Sequence, residues 1–389
     1  DVTFYGEDFD PQVGQSLATG DLDGDGIEDL IIGAPDGICH FGNASWYGHT
    51  CTTNIGTVND PNWVEVRCGG CGRVYVFYGR TSWAATYEIN YDDGDPDTDT
   101  DSNTPNADAV FVGRAGGDNL GFDLSVVDIN LDGAVDLAMG ARNFKICEGD
   151  GCESSPPGDA GRDIIYGGVY VAFGGAEFPQ YTHYEFDSFD YLIKGADEAD
   201  RAGRVINSGD VDGDGTTELL VGIPSADGPA NSKTRAGEIR IIEPDANIVA
   251  GDLYDLKTAD PQPSYFYGVE AEDLFPTDIA VFDIDGDGRE DILASAAFAN
   301  PDTSRVGAGE AYLVLGRDTW PGSEQVDLLA NNVFYGRESG DSLGYALGMG
   351  DVLGLGNPRA LLSMPFSDGS FETRADAGEV VAFQWSDLQ

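Results

Sequence analysis

The sequence predicts an all-β fold, a β-propeller of five four-stranded blades, on three observations. One unit is written five times along the 389 residues, every copy reads as short strands between Gly/Asp turns, and four copies share one acidic loop. A four-stranded unit cannot bury both faces of its sheet alone, so such units must stack around an axis.

The first mark of the unit is an acidic loop running into an apolar strand. Gly20 opens GDLDGDGIEDLIIGAP, and matching segments begin at Asp128 (DINLDGAVDLAMGA), Asp210 (DVDGDGTTELLVGIP) and Asp283 (DIDGDGREDILASA). A fifth, degenerate copy begins at Asp351 (DVLGLGNPRALLSMP). Successive copies lie 107, 82, 73 and 68 residues apart, shrinking as insertions disappear.

Upstream of each loop sits a short apolar stretch ending in glycine: VTFYG, AVFVG, YLIKG, SYFYG and NVFYG. A Gly-centred strand follows (VGQSLATG, LGFDLSVV, AGRVINSG, LGYALGMG), which the fourth copy replaces with Phe275, Pro276, Thr277 and Asp278. Downstream comes a β-rich segment: GRVYVFYG from Gly72, GGVYVAFGG from Gly167, GEIRIIEP from Gly237, GEAYLVLG from Gly309 and GEVVAFQW from Gly378. That makes four strands a copy, rich in β-branched and aromatic residues, with no sustained helical period.

The last copy stops after its third strand, and the chain begins with the missing kind of strand, Val2-Thr3-Phe4-Tyr5-Gly6. The expectation is that this N-terminal strand completes the last blade and closes the ring, removing two edges. The competing reading is a boundary cut through a longer array. Residues 1–389 are read as a single propeller domain with insertions at 36–71, 90–108 and 143–166.

Composition narrows the function. With 70 Asp+Glu against 20 Lys+Arg, the net charge of −50 repels nucleic acid and anionic membranes. No window approaches the roughly 18 apolar residues of a membrane helix. Four calcium ions would offset only eight of these charges, and the remainder is compatible with a saline habitat. The chain opens at Asp1 without a signal peptide and is read as a mature or trimmed form.

Six cysteines fall in two local groups, Cys39, Cys51, Cys68 and Cys71, then Cys147 and Cys152. An even count in Gly-rich stretches favours loop-stapling disulfides and an exported protein. Zinc is the rival, since Cys68 and Cys71 have C-x-x-C spacing near His40 and His49.

The Asp-x-Asp-x-Asp-Gly-x-x-Asp pattern has a physical cause. Calcium takes about six to eight oxygens, carboxylates at alternate positions of a tight loop turn inward together, and glycine permits the bend. The first loop offers Asp21, Asp23, Asp25, the carbonyl of Ile27, and Asp29. The second offers Asp128, Asn130, Asp132, the carbonyl of Ala134, and Asp136. The third offers Asp210, Asp212, Asp214, the carbonyl of Thr216, and Glu218. The fourth offers Asp283, Asp285, Asp287, the carbonyl of Arg289, and Asp291.

An EF-hand would need Glu at position 12, where Ile32, Met139, Val221 and Ala294 stand instead. Plain Asp/Gly turns are the bland alternative, made poor by four full copies at equivalent positions. The fifth loop has Leu353, Leu355, Asn357 and Arg359 at its ligand positions, so it is expected to be metal-free. About four calcium ions are expected.

The combination of apolar-Gly, DxDGDGxxD, Gly33-Ala34-Pro35 (Gly222-Ile223-Pro224 as a variant) and G-x-V-Y-V resembles the FG-GAP repeats of integrin α-chain propellers and their bacterial relatives. The likeness spans nearly the whole chain outside the insertions. It departs in having no literal Phe-Gly at the apolar-Gly position, one literal Gly-Ala-Pro, and five repeats for the integrin's seven. The resemblance implies metal loops on one face, with the loops joining strands 2 and 3 on the opposite, partner-binding face. The insertions 36–71 and 143–166 fall there, and the first carries Phe41, Trp46, Tyr47, His49 and Trp63, residues typical of binding hot spots. The same aromatics could instead bury one another in a stapled loop. The acidic insertion from Tyr91 is read as a solvated loop, with an extra calcium site as the alternative.

Catalytic motifs are scarce: three histidines, no H-E-x-x-H and no P-loop. The expected function is therefore an extracellular, secreted or cell-surface adhesion and recognition module for a protein or glycan ligand. The alternative is a carbohydrate-active enzyme, a glycosidase or lyase using paired carboxylates.

Overall fold

A computed structural model describes residues 2–6, 12–36, 46–47, 50–54, 63–66, 70–89, 107–113, 117–148, 162–176, 178, 183–184, 189–368 and 377–387. It is all-β, and the one α-helix among the described residues is the single turn Val326–Leu329. Five sheets follow the five copies. The first is built from Ser16–Gly20, Asp29–Ala34, Arg73–Phe77 and Ala109–Val112. The second uses Leu120–Val127, Asp136–Ala141, Gly168–Ala172 and Tyr191–Lys194. The third uses Val205–Gly209, Glu218–Ile223, Glu238–Ile242 and Tyr265–Tyr267. The fourth uses Ile279–Phe282, Asp291–Ala296, Glu310–Val314 and Asn332–Tyr335. The fifth has three described strands, Leu347–Gly350, Arg359–Met364 and Glu379–Gln384.

These strands pair antiparallel in sequence order through the first, third and fourth sheets. Each acidic loop therefore joins strands one and two at one end of its sheet. The strand two to three connections leave from the other end. Between second and third strands, the insertion 36–71 adds a small sheet of Trp46–Tyr47, Thr50–Asn54 and Trp63–Val66. The insertion 143–166 adds a hairpin, Lys145–Glu148 with Arg162–Ile165. Phe41, His49, Cys39, Cys68, Cys152 and most of 90–108 lie outside the described residues. Cys71 is fully buried, and no described cysteine is free.

One class of strand was not expected. After its third strand, a repeat sends a short segment back to the fourth strand of the sheet before it. His183–Tyr184 runs parallel to Ala109–Val112, and Glu324–Gln325 runs parallel to Tyr265–Tyr267. Asp252–Asp255 is the neighbour of Tyr191–Lys194 in the second sheet. The N-terminal strand Thr3–Gly6 forms as expected, and its described partner is Thr86–Ile89, again in parallel. Thr3–Gly6 therefore holds a fourth strand's place relative to the segment that follows Arg73–Phe77.

The chain forms two compact units, Asp1–Val126 with Ala134–Leu192, and Val127–Gly133 with Ile193–Gln389. In the first unit, Val74 and Val76 join a core with Leu22, Ile31, Phe111, Met139 and Tyr170. Tyr75 and Phe77 point the other way, into a cluster with Ile32 and Tyr87. The period-two alternation thus buries both faces of the strand. The second unit repeats this. Ile292, Ala294, Tyr312 and Val314 pack with Leu220, Ile239 and Ile241, whereas Leu293, Ala311 and Leu313 pack with Ala360, Leu362 and Met364.

Four of the five strand-ending glycines, Gly113, Gly195, Gly268 and Gly336, are followed by a second internal signature. Asp118, Asp200, Asp273 and Asp341 each stand five residues past their glycine, and all four are buried. Asp200 Oδ2 accepts the N–H of Asp197 at 3.1 Å, Asp273 Oδ2 that of Glu270 at 2.8 Å, and Asp341 Oδ2 that of Glu338 at 2.9 Å. Burial pushes the Asp200 carboxyl up to about 7, with repulsion from Asp197, Glu238 and Asp227 adding to it.

A carboxyl whose folded pKa lies above its unfolded value of about 3.9 takes up a proton on folding. Its stabilising effect is complete below the unfolded pKa and is lost as pH rises through the folded one. Asp200→Asn, neutral at every pH, is expected to shallow the loss of stability between about pH 4 and 7. Urea unfolding of both proteins in excess calcium reads this directly; identical pH profiles would refute it.

Candidate metal centre

The loops are built to one plan. Position two is apolar and buried in each: Leu22, Ile129, Val211 and Ile284 are 0 to 1% exposed, and each anchors its loop to the core. The carbonyl of that residue reaches the end of a third strand. Gly175 N–H donates to Leu22 O at 2.7 Å, Asp245 N–H to Ile129 O at 2.9 Å and Arg317 N–H to Val211 O at 3.0 Å. In the fifth loop the equivalent residue, Val352, is 53% exposed.

The first carboxylate closes each turn by accepting N–H groups along it. Gly26 donates to Asp21 Oδ2 at 2.9 Å, Gly133 to Asp128 Oδ2 at 3.0 Å, Gly215 to Asp210 Oδ2 at 3.1 Å and Gly288 to Asp283 Oδ2 at 3.0 Å. Residues three and five accept two positions on: Asp25 N–H bonds Asp23 Oδ1 at 3.1 Å, and Ile27 N–H bonds Asp25 Oδ1 at 2.8 Å. Thr216 and Arg289 repeat the latter bond to Asp214 and Asp287, at 2.8 and 2.9 Å. In the second loop, Asp132 N–H donates to Asn130 Oδ1 at 3.0 Å, and the Asn130 amide donates to Asp132 Oδ2 at 3.1 Å.

Three sets of carboxylates converge, with one oxygen of each member within 4.8 Å of the others. They are Asp21, Asp23 and Asp25; Asp210, Asp212, Asp214 and Glu218; and Asp283, Asp285 and Asp287. The ninth-position aspartates stand apart from these groups and act as brackets. Asp29 accepts Leu22 N–H at 2.9 Å and Gly79 N–H at 2.7 Å, one on each oxygen. Asp291 does the same with Ile284 at 2.8 Å and Gly316 at 2.9 Å, and Asp136 Oδ1 accepts Gly174 N–H at 2.9 Å. An ionised carboxylate oxygen has a second acceptor site, so this bracing leaves capacity for an ion.

The fit to a hard cation rests on the donor set. Every side-chain ligand is a carboxylate or amide oxygen, a donor set that suits a hard cation such as calcium. Asp21 Oδ1 and Glu218 Oε1 are buried with no hydrogen-bond partner, a costly state that a cation would relieve. Burial pushes Glu218 up to about 8, with Glu243, Asp212 and Asp210 repelling its charge, and pushes Asp29 and Asp291 up to about 6. Asp351 in the fifth loop behaves oppositely: N–H groups of Gly356 and Leu355 hold its carboxyl below the usual range.

Three stretches, residues 13–45, 202–242 and 275–314, match the FG-GAP repeat. The chain carries FG-GAP repeats, as the resemblance implied. A phosphatidylinositol-glycan-specific phospholipase D of Dictyostelium discoideum is 24% identical over 399 aligned residues, covering 100% of this chain and 35% of the relative. The phospholipases of the same name from Bos taurus and Homo sapiens are 27% and 26% identical over 223 residues, covering 57% of this chain and 20% of each relative. The chain thus spans about a third of the Dictyostelium protein's length. A solved rhamnogalacturonan lyase aligns over 95% of this chain and 55% of its own at 11% identity, with a TM-score of 0.36.

Proposed function

We propose that this chain is a calcium-loaded, propeller-type recognition module that works outside the cell and binds a glycan. The carrying observation is the convergence of carboxylates at repeat-equivalent loops, two of which contain a buried oxygen without a partner. Loops of this charge density suit the free calcium available to extracellular modules. Among the described residues no helix is long and apolar enough to cross a membrane.

Ions at one end of the sheets fix the strand-one to strand-two loops. The opposite end is left to the two inserted β-elements at 36–71 and 143–166, which are the place for a ligand. The relatives' name states a phosphatidylinositol-glycan specificity, and the glycan half of that description sets the ligand class proposed here.

The test is a glycan array probed with the whole chain in calcium, repeated in chelator. A variant with 37–69 replaced by a short Gly-Ser linker serves as the control. Binding that needs both calcium and the insertion is expected. Undiminished binding by a folded linker variant would exclude the insertion as the ligand platform. Glycan hydrolysis or elimination by the wild type would move the assignment to a carbohydrate-active enzyme.

A further inference from the structure

The third loop differs from its siblings by two linked substitutions. In the first, second and fourth copies the ninth residue is aspartate, and its Oδ1 accepts the N–H of a glycine just beyond the third strand: Gly79, Gly174 and Gly316. Register identifies the equivalent of that glycine in the third copy. Leu30 pairs with Phe77, Leu137 with Ala172, Leu219 with Ile242 and Ile292 with Val314. Two residues further on stand Gly79, Gly174, Pro244 and Gly316. Proline has no N–H to donate.

The third copy also has glutamate in place of aspartate. One oxygen of Glu218 keeps the shared bond, accepting Val211 N–H at 2.9 Å. The other, Oε1, is left without a partner although the side chain is 0% exposed. The longer side chain brings a carboxylate oxygen into the group formed by Asp210, Asp212 and Asp214. What is a bracket elsewhere is here a fourth converging carboxylate.

The other loops are weaker in charge. The first gathers three carboxylates. The fourth also gathers three, but Arg289 donates to Asp287 Oδ2 at 2.9 Å and spends part of that charge. The second has an amide, Asn130, at position three. Calcium affinity in oxygen-lined loops rises with the number of charged ligands.

Resting on the calcium reading above, we infer that the third loop is the tightest of the four sites and the last to release its ion. The Glu218/Pro244 pair sets that rank. Pro244 withholds the N–H that would otherwise occupy the second oxygen, and Glu218 delivers that oxygen to the ion.

Native mass spectrometry of the whole chain at stepwise lower free calcium counts the ions retained. The wild type is expected to pass through a persistent one-ion species. Glu218→Gln should weaken that last ion about tenfold or more, and Pro244→Ala, which restores an N–H, several-fold. Asp23→Asn and Asp285→Asn should each remove one of the weaker ions and leave the last untouched. A last ion indifferent to Glu218→Gln and Pro244→Ala, but lost in Asp23→Asn, overturns the ranking while leaving the calcium reading intact. A wild type that carries no ion at millimolar calcium overturns both.

Discussion

Gly237→Ala is expected to destabilise the protein more than any conservative surface substitution, and Gly251→Ala to cost little. Gly237 leads the third strand of the third sheet with φ at +84°, a conformation that costs an alanine about 1–2 kcal/mol. A Cβ placed there would also collide with the backbone carbonyl of Phe275. Neither partner can retreat. Gly237 N–H donates to Ala226 O at 2.9 Å, Gly268 N–H to Gly237 O at 3.0 Å and Phe275 N–H to Ala236 O at 3.0 Å.

Relief would have to break bonds that join one repeat to the next, so the total loss should reach about 4 kcal/mol or more. Gly251 has φ at +94° with nothing within 4 Å of its would-be Cβ, so it bears the conformational cost alone. Urea unfolding of the two variants isolates the collision, and equal losses would mean that the close approach is absent in solution. Gly72 and Gly309 meet the backbone of Leu120 and Leu343 in the same way, which is why the G-x-V-Y-V signature begins with glycine.

The features legible in the sequence are those that spend side-chain chemistry at fixed spacing. The loops announced themselves because several carboxylates must stand at alternate positions, and the strand-ending glycines because a neighbour's backbone fills their Cβ space: Gly113 against Cys71 O, Gly336 against Ala308 O. Third strands were legible as apolar runs because both faces are buried.

The returning parallel strands were not legible. Glu324–Gln325 is two residues long, partly exposed and held by backbone bonds, which carry no side-chain signature. The buried aspartates at 118, 200, 273 and 341 do recur at a fixed offset from glycine. Amid 70 acids, an inward-facing one has no distinguishing mark until the turn is built. The Glu218/Pro244 link needs strand register, because the two residues are 26 positions apart and only pairing identifies Pro244 with Gly79.

Removing calcium is the second large effect, expected to lower the melting temperature steeply. A ligand bound only by the folded state stabilises it by about 2.7 kcal/mol per site at a hundredfold excess over Kd. Several such sites together rival the whole stability of an ordinary domain, about 5–15 kcal/mol. Chelation also leaves carboxylates in each of three loops within 4.8 Å of one another, with Arg289 beside Asp287 as a partial counter-charge in the fourth loop, so repulsion adds to the lost binding energy.

Single substitutions separate the two contributions. In calcium, Asp25→Ala should lower the melting temperature, because it removes a converging ligand together with the Ile27 N–H bond. In chelator the same change should be close to neutral, since it also relieves repulsion from Asp21 and Asp23. Asp351→Ala gives up the Leu355 and Gly356 N–H bonds of an exposed turn, and should cost the same small amount with and without calcium. Scanning calorimetry of the wild type and both variants, in calcium and in chelator, gives six melting temperatures. A wild type unmoved by chelator would show that the loops hold no ion, and a calcium-dependent loss in Asp351→Ala would show that the fifth loop holds one after all.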